Sequence, residues 1–148
     1  MSTKQNLEEN LVFKPQFDEN GLIPAIAQDV RTGQVLMVAY MNREALDVTI
    51  KSGYATYFSR SRQKLWKKGE ESGHRQKVEQ ILVDCDQDCL ILKVTVDAGQ
   101  CHVGYQSCFY RALKQKSSNG TPHGVSHCGE LEFIEEKVYD PKEAYKKR

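Results

Sequence analysis

The sequence predicts an α+β fold, built mainly from antiparallel strands with one clear helix. Short β-rich runs alternate with turns that contain Gly, Asn or Asp, and only the stretch after Asn42 takes up a clear helical period. Several runs follow one another so closely that hairpins are the natural connection. With 148 residues, the chain is long enough to form one domain with its own core.

We expect three regions within this single domain. Residues 1–10 are polar and lack periodicity, which predicts a flexible N-terminal tail. Residues 11–113 carry most of the apolar runs and form the domain core. Residues 114–148 add an exposed loop at 114–129, then a strand and a short C-terminal helix that pack on the same domain.

The first two strands are expected to form an antiparallel pair. Residues 22–30 and 35–40 are β-rich, and a Thr-Gly pair lies in the turn between them. A helix follows, because Asn42 can cap its start and Gly53 can end it. The apolar positions of this helix are Ala45, Leu46, Thr49 and Ile50.

Further strands are predicted at 54–59, 78–84, 89–96, 109–113 and 131–139. The acidic connection between the second and third of these runs is short, which predicts a hairpin. Residues 63–73 lose the pattern and predict a loop of the kind that carries function. Pro141 suits the first turn of a last, basic helix.

Composition excludes several classes of protein. The formal net charge of +1 argues against a globally basic nucleic-acid binder. No apolar run approaches the roughly 20 residues of a membrane-spanning helix. The five cysteines are odd in number and no stretch resembles a secretory signal. We therefore expect a cytoplasmic protein whose thiols are free for metal chemistry.

Metal-ligand side chains are concentrated in two short segments. The carboxylates are Asp84, Asp86 and Asp88, and the thiols are Cys85, Cys101 and Cys108. Hard cations such as Mg²⁺ select oxygen ligands, whereas Zn²⁺ takes thiolates readily, so the mixture favours two metal sites. Three thiolates leave one position of a tetrahedral zinc open, which is typical of a catalytic site. The alternative is an ordinary acidic turn with cysteines that act as small buried hydrophobes.

A basic stretch precedes these segments. Residues 59–77 contain seven basic residues and only two acidic ones. Such a cluster can hold a phosphorylated small molecule. The alternatives are a solvated basic loop, or a nucleic-acid-binding surface whose affinity would depend strongly on salt.

Several segments, in this order, resemble the phosphoribosyl-AMP cyclohydrolase family of histidine biosynthesis. They are residues 21–25, 37–42, 55–62, 65–70, 72–74, 84–86, 101–102 and 107–109. Together they span residues 21–110, most of the chain. No single segment is specific, but their ordered combination is.

The resemblance implies that zinc is bound by Cys85, Cys101 and Cys108, and magnesium by Asp84, Asp86 and Asp88. It implies hydrolytic opening of the adenine ring of phosphoribosyl-AMP between N1 and C6, by a zinc-activated water. It also implies a homodimer with active sites at the subunit interface, so that zinc ligands come from both chains.

We assign proton transfer to His102, as the catalytic residue beside one of the zinc ligands. The alternative is that His102 only orients a neighbouring cysteine. The candidates for binding the substrate and its two phosphates are Arg60, Arg62, Trp66, Lys67 and Ser72. Trp66 would stack on the base, or else would be an ordinary core residue.

The sequence departs from the family pattern at three places. Gln87 replaces the usual glycine of the acidic turn, residues 104–106 replace a pair of arginines with Gly-Tyr-Gln, and Arg75 stands where a small or polar residue is expected. A phosphate contact that has moved to Arg75 would explain two of these changes. Gln87 and Gln106 also leave open a different N1-substituted purine as the substrate.

Two residue groups are expected to lie outside the chemistry. Cys89 is expected to pack inward as a small hydrophobe. The remaining ligand-type residues, His123, His127 and Cys128, are interpreted as chance composition of a loop. If His127 or Cys128 instead completed the zinc site, the protein would be a zinc-stabilised binding module without turnover.

Overall fold

A computed structural model describes residues 7–115 and 127–144 of the chain. Most of the loop expected at 114–129, including His123, and the first six residues of the expected tail lie outside the described residues, as do the last four residues of the chain.

A four-stranded sheet forms the centre of the fold. Its strands are β1 (Ile23–Asp29), β2 (Val35–Met41), β5 (Lys77–Val83) and β6 (Leu90–Thr95), in the order β2-β1-β6-β5. Both outer pairs are antiparallel, which confirms the predicted fold class. The central pair is parallel, with Ala27 opposite Leu92. This parallel pairing was not expected from the sequence.

One face of the sheet carries the core. Side chains along β1 alternate between buried and partly buried, as the two-residue period of a strand requires. The buried apolar positions of β1 and β6 are Ile23, Ala25, Ala27, Leu90, Leu92 and Val94. Their packing removes this face from water and supplies the main apolar contribution to stability.

The predicted helix is present as α1 (Arg43–Ser52). The Asn42 side chain accepts a hydrogen bond from the Ala45 amide at 2.8 Å, and Gly53 ends the helix at a φ of 79°. Both caps confirm the sequence interpretation. Of the expected apolar positions, Ile50 is the exception: its side chain is 54% exposed, because it lies on the side of α1 that faces solvent.

Two small sheets complete the fold. β3 (Thr56–Ser59) pairs with β4 (Lys64–Lys67), so the loop expected at 63–73 was predicted too long at its start. β7 (Arg111–Gln115) pairs with β8 (His127–Phe133). The strand expected at 131–139 was therefore misplaced: it ends at Phe133, since the next residues turn to contact the loop around Gly104. The short helix α2 (Pro141–Ala144) begins where Pro141 predicted it.

The hairpin expected around the acidic motif is also present. β5 and β6 pair in antiparallel fashion, with Val83 opposite Leu90, and the acidic residues lie in the connection. Among the described residues, no helix is long and apolar enough to cross a membrane.

Candidate active site

The acidic turn, residues 84–88, gathers three carboxylates. Ligand oxygens of Asp84, Asp86 and Asp88 all lie within 4.8 Å of one another. The turn closes because the Gln87 amide donates to the Asp84 carbonyl at 3.1 Å and Gln87 takes a left-handed φ of 58°. The hairpin thus brings together side chains that a straight strand would separate between its two faces.

The carboxylates of the acidic turn interact with one another. One oxygen of Asp84 accepts the amides of Asp88 at 3.0 Å and Cys89 at 3.1 Å. The protonated carboxyl of Asp88 donates hydrogen bonds to the carboxylates of Asp86 and Asp84, and these bonds raise the pKa of Asp88 to about 6. A divalent cation would relieve the repulsion among these oxygens, and all three ligands are of the hard type that Mg²⁺ prefers.

The cysteine loop, residues 100–108, follows β6. It closes on itself through the Cys101 amide, which donates to Tyr105 at 3.0 Å, and it docks on β2 through the Cys108 amide, which donates to Leu36 at 2.7 Å. The thiols of Cys101 and Cys108 lie near enough to interact. Burial, followed by the effect of Cys101, raises the pKa of Cys108 to about 12.

A buried lysine lies beside this thiol pair. Lys68 is 9% exposed, and its ammonium donates to the carbonyl of Gln100 at 2.7 Å. Burial lowers the pKa of Lys68, and the two nearby thiols act in the opposite direction. A positive charge at this position favours the thiolate forms that bind zinc.

A buried polar network connects the cysteine loop to the core. The Tyr57 hydroxyl donates to the side-chain carbonyl of Gln76 at 2.6 Å, and the Gln76 amide donates to the Gln100 side chain at 3.0 Å. Tyr139 contacts the loop from the other side, through its hydroxyl on the Cys101 carbonyl. These contacts fix the segment that carries Cys101.

Cys85 does not join the thiol pair within one chain. It lies exposed in the acidic turn, before β6, whereas Cys101 follows β6. A six-residue strand spans on the order of 17 to 20 Å. Over residues 7–115 and 129–144, whose side chains the structure describes, the three carboxylates are the only set of three or more ligand side chains that lie this close together.

Four of the five predicted substrate residues line one pocket of about 140 Å³: Arg62, Trp66, Lys67 and Ser72. Lys68 contributes to the same wall, so the pocket and the thiol pair share a residue. Trp66 also packs on the Tyr57 ring at 5.1 Å, and so has a core contact as well as a pocket surface.

The other candidates lie outside this pocket. The Arg60 guanidinium packs over the Tyr40 ring at 4.1 Å, and that of Arg75 over the Tyr54 ring at 4.7 Å. His102 is exposed at the surface of the cysteine loop. Cys89 is partly buried and free.

An α+β domain with a carboxylate cluster, a thiol pair and a basic pocket carries side chains of the types that can hold metal ions and phosphates. Residues 37–110 match the family model described as phosphoribosyl-AMP cyclohydrolase. The chain belongs to the phosphoribosyl-AMP cyclohydrolase family.

Individual relatives match almost end to end. A phosphoribosyl-AMP cyclohydrolase of Methanococcoides burtonii is 55% identical over 130 residues, which cover 88% of this chain and 94% of that protein. One of Chlorobium limicola is 48% identical over 100% of this chain and 99% of its own. One of Methanospirillum hungatei is 54% identical over 89% and 88%, respectively.

Sequence reasoning missed the residues that support the cysteine loop: Lys68, Gln76, Gln100 and Tyr139. Lys68 was counted only as one charge of the basic stretch. Polar residues are usually exposed, so nothing in the local pattern indicated that three of the four are buried.

Proposed function

We propose that this protein is a phosphoribosyl-AMP cyclohydrolase, which hydrolyses the N1–C6 bond of the adenine ring of phosphoribosyl-AMP in histidine biosynthesis. The observation that carries this conclusion is the family match over residues 37–110. That range contains the acidic turn, the cysteine loop and the basic pocket, and every site residue predicted from the sequence lies within it.

Zinc is proposed to bind at Cys101 and Cys108 of one chain, with Cys85 as the third ligand. The donor set fits, because the thiols of Cys101 and Cys108 lie near enough to affect each other, and Lys68 lies near both. With three thiolates as ligands, zinc supplies a water of lowered pKa as the nucleophile at neutral pH.

The third ligand is proposed to come from a second copy of the chain. Within one chain Cys85 precedes β6 and Cys101 follows it, which supports a partner chain as the source of one of the two sides. The resulting homodimer has two equivalent sites, each built from the acidic turn of one chain and the cysteine loop of the other.

The outer face of the sheet offers an apolar surface for this contact. The strand register aligns Val38, Ile26, Ile91 and Leu82 in one row across all four strands. Val38 is 48% and Leu82 is 38% exposed, and the two central residues are only partly buried. A contiguous apolar row at the surface is typical of an interaction site.

Magnesium is proposed to bind at Asp84, Asp86 and Asp88. Mg²⁺ usually binds through a few carboxylates together with waters and substrate phosphates. In the proposed dimer, the acidic turn carries Cys85 to the partner's thiol pair. The magnesium ligands then lie beside the zinc ligands.

The basic pocket is proposed to bind one end of the substrate. A pocket of about 140 Å³ is smaller than the roughly 300 to 1,000 Å³ of a complete small-molecule site, so it suits a phosphate and part of its ribose. Arg62 and Lys67 supply the positive charge, Ser72 a hydroxyl and Trp66 an aromatic surface. Arg60 lies apart and is assigned to the second phosphate.

The reaction consumes one water. Its oxygen bonds to C6, the N1–C6 bond breaks, and N1 takes up a proton. His102 is exposed immediately next to Cys101, where its ring can carry that proton between the adduct and N1. The four cysteines that the structure describes are free, which fits the proposed cytoplasmic location.

The test is an absorbance assay of ring opening by the purified protein with zinc, magnesium and phosphoribosyl-AMP. We expect activity in the parent and none in Cys101→Ala. Cys89→Ala is the matched control, because it removes a free thiol outside the proposed ligand sets, and it should remain active. A parent that carries stoichiometric zinc but leaves this substrate intact would refute the assignment.

A further inference from the structure

Gln87 occupies an unusual position in the acidic turn. Its φ of 58° lies in the left-handed region, which glycine takes freely and other residues rarely adopt. Its side chain is nonetheless almost completely buried, with 4% exposed. A residue at the tip of a hairpin is normally exposed, so this burial calls for a partner segment.

The partner is the N-terminal strap, residues 12–16. The Gln87 side-chain carbonyl accepts the Lys14 amide at 2.7 Å, and its amide group donates to the Val12 carbonyl at 3.3 Å. The backbone carbonyl of Gln87 accepts the Gln16 amide at 2.7 Å. Because both the side chain and the peptide carbonyl are held, the strap restrains the peptide units on either side of Gln87.

The residues joined to Gln87 by these peptide units bear two of the three carboxylates. Gln87 lies between Asp86 and Asp88, and like charges held within 4.8 Å of one another repel. This repulsion favours conformations of the turn in which the carboxylates lie further apart. The side-chain amide of Gln87 is occupied by the strap, so Gln87 supports the carboxylates without being a ligand itself.

We propose that Gln87 is a positioning residue, which ties the N-terminal strap to the acidic turn and holds the three carboxylates ready for a divalent cation. The inference rests on the magnesium site of the proposed function. It also assigns a role to a segment that the sequence placed at the edge of a flexible tail.

The test measures the affinity of the full-length protein for Mn²⁺, as a spectroscopic substitute for Mg²⁺, from the electron paramagnetic resonance of the free ion. Gln87→Gly keeps the backbone conformation accessible but removes the side-chain bonds to the strap. We expect its dissociation constant to rise on the order of 10-fold, as for other residues that orient metal ligands.

Lys14→Pro tests the same contact from the strap. Proline has no amide hydrogen, so this change removes the donor to Gln87. Lys14→Ala, which keeps the amide, is the matched control and should bind as the parent does. The double variant Lys14→Pro with Gln87→Gly should bind within about twofold of Gln87→Gly alone, since the bond that Lys14→Pro removes is one of those that Gln87→Gly has already removed.

A second control separates the turn from glycine substitution in general. Gln63 also has a left-handed φ, of 52°, and lies outside the acidic turn, so Gln63→Gly should leave Mn²⁺ binding unchanged. Unfolding temperatures of the metal-free variants show whether stability alone accounts for an effect.

The outcomes distinguish this inference from the site on which it rests. Parental affinity in Gln87→Gly, or effects of the two changes that add, would overturn the role of Gln87 while leaving the magnesium site intact. A parent that does not bind Mn²⁺, or an Asp86→Asn variant that binds it equally well, would overturn both. If Gln87→Gly did not fold, the comparison of Lys14→Pro with Lys14→Ala would decide.

Discussion

Replacing Lys68 by methionine tests the assignment of the cysteine loop as a zinc site. Methionine keeps much of the length and apolar stem of lysine but removes the ammonium. In the structure Lys68 is 9% exposed, and its ammonium donates to the Gln100 carbonyl at 2.7 Å and lies near both thiols of the loop. Its loss therefore removes a hydrogen bond and a positive charge from the same place.

The two effects have different magnitudes and different readouts. A hydrogen bond from a charged donor contributes about 1.5 to 3 kcal/mol to stability. Burying the ammonium costs free energy, and Lys68→Met removes this cost. Because the two effects oppose each other, we expect only a small change in the free energy of unfolding. Zinc affinity should fall by about 10- to 100-fold, or roughly 1.4 to 2.8 kcal/mol, because the thiolates lose a neighbouring cation.

The assay is competition for zinc between each purified variant and a chromophoric chelator, together with urea unfolding of the metal-free protein. Lys67→Met is the matched control. This neighbouring lysine lines the basic pocket, but it does not contribute to the shift in the pKa of Cys108. It should raise KM and leave zinc affinity unchanged. Zinc affinity of Lys68→Met within twofold of the parent would refute the argument.

Three further outcomes follow from the site and the fold. His102→Ala should lower turnover by on the order of 10²-fold with zinc content unchanged, and a rate within threefold of the parent would remove His102 from the chemistry. Because burial raises the pKa of Cys108 to about 12 from 9.0, the folded metal-free protein keeps a proton that the unfolded chain loses. Its unfolding free energy should therefore fall as the pH rises above about 9, and Cys108→Ala should flatten this dependence; equal slopes in denaturation titrations at pH 8 to 10.5 would contradict it. Asn42→Ala should lower the unfolding free energy by about 1 kcal/mol in urea titrations, whereas Asn42→Asp, which keeps a capping oxygen, should change it little.

Local chemistry made part of this fold predictable. The caps of α1 depend on Asn42 and Gly53 alone, and the β5–β6 hairpin depends on two adjacent β-rich runs with a short acidic connection. Each signal lies within a few residues of the element that it defines. The acidic turn was predictable for the same reason, since a bend is required to bring alternate carboxylates together.

Pairings between distant segments were not predictable. The parallel contact of β1 with β6 joins residues more than 60 positions apart, and no residue of either strand identifies its neighbour. β4 was missed because its Lys-Leu-Trp-Lys sequence is neither strongly apolar nor bounded by a clear turn. Its strand conformation comes from pairing with β3, as is usual when tertiary context overrides propensity.

The candidate site also has features that could be predicted from the sequence and features that could not. The two types of metal ligand could be predicted from the sequence, because carboxylates and thiols have distinct metal preferences. The buried supports of the cysteine loop were not, because Gln76 and Gln100 have side chains that are usually exposed. The proposed position of Cys85 opposite a partner's thiols depends on a second chain, which no local pattern describes.

Mixed dimers of two inactive variants test the central claim, a hydrolytic zinc site shared between subunits, most directly. The Cys85→Ala and Cys101→Ala variants are given different affinity tags and produced together. The dimer that holds one copy of each variant is then purified and assayed with phosphoribosyl-AMP. One of its two sites then has all three cysteines, so we predict about half of the parental rate per dimer, while each variant alone is inactive. A mixed dimer without activity, or the absence of any mixed dimer, would contradict the account.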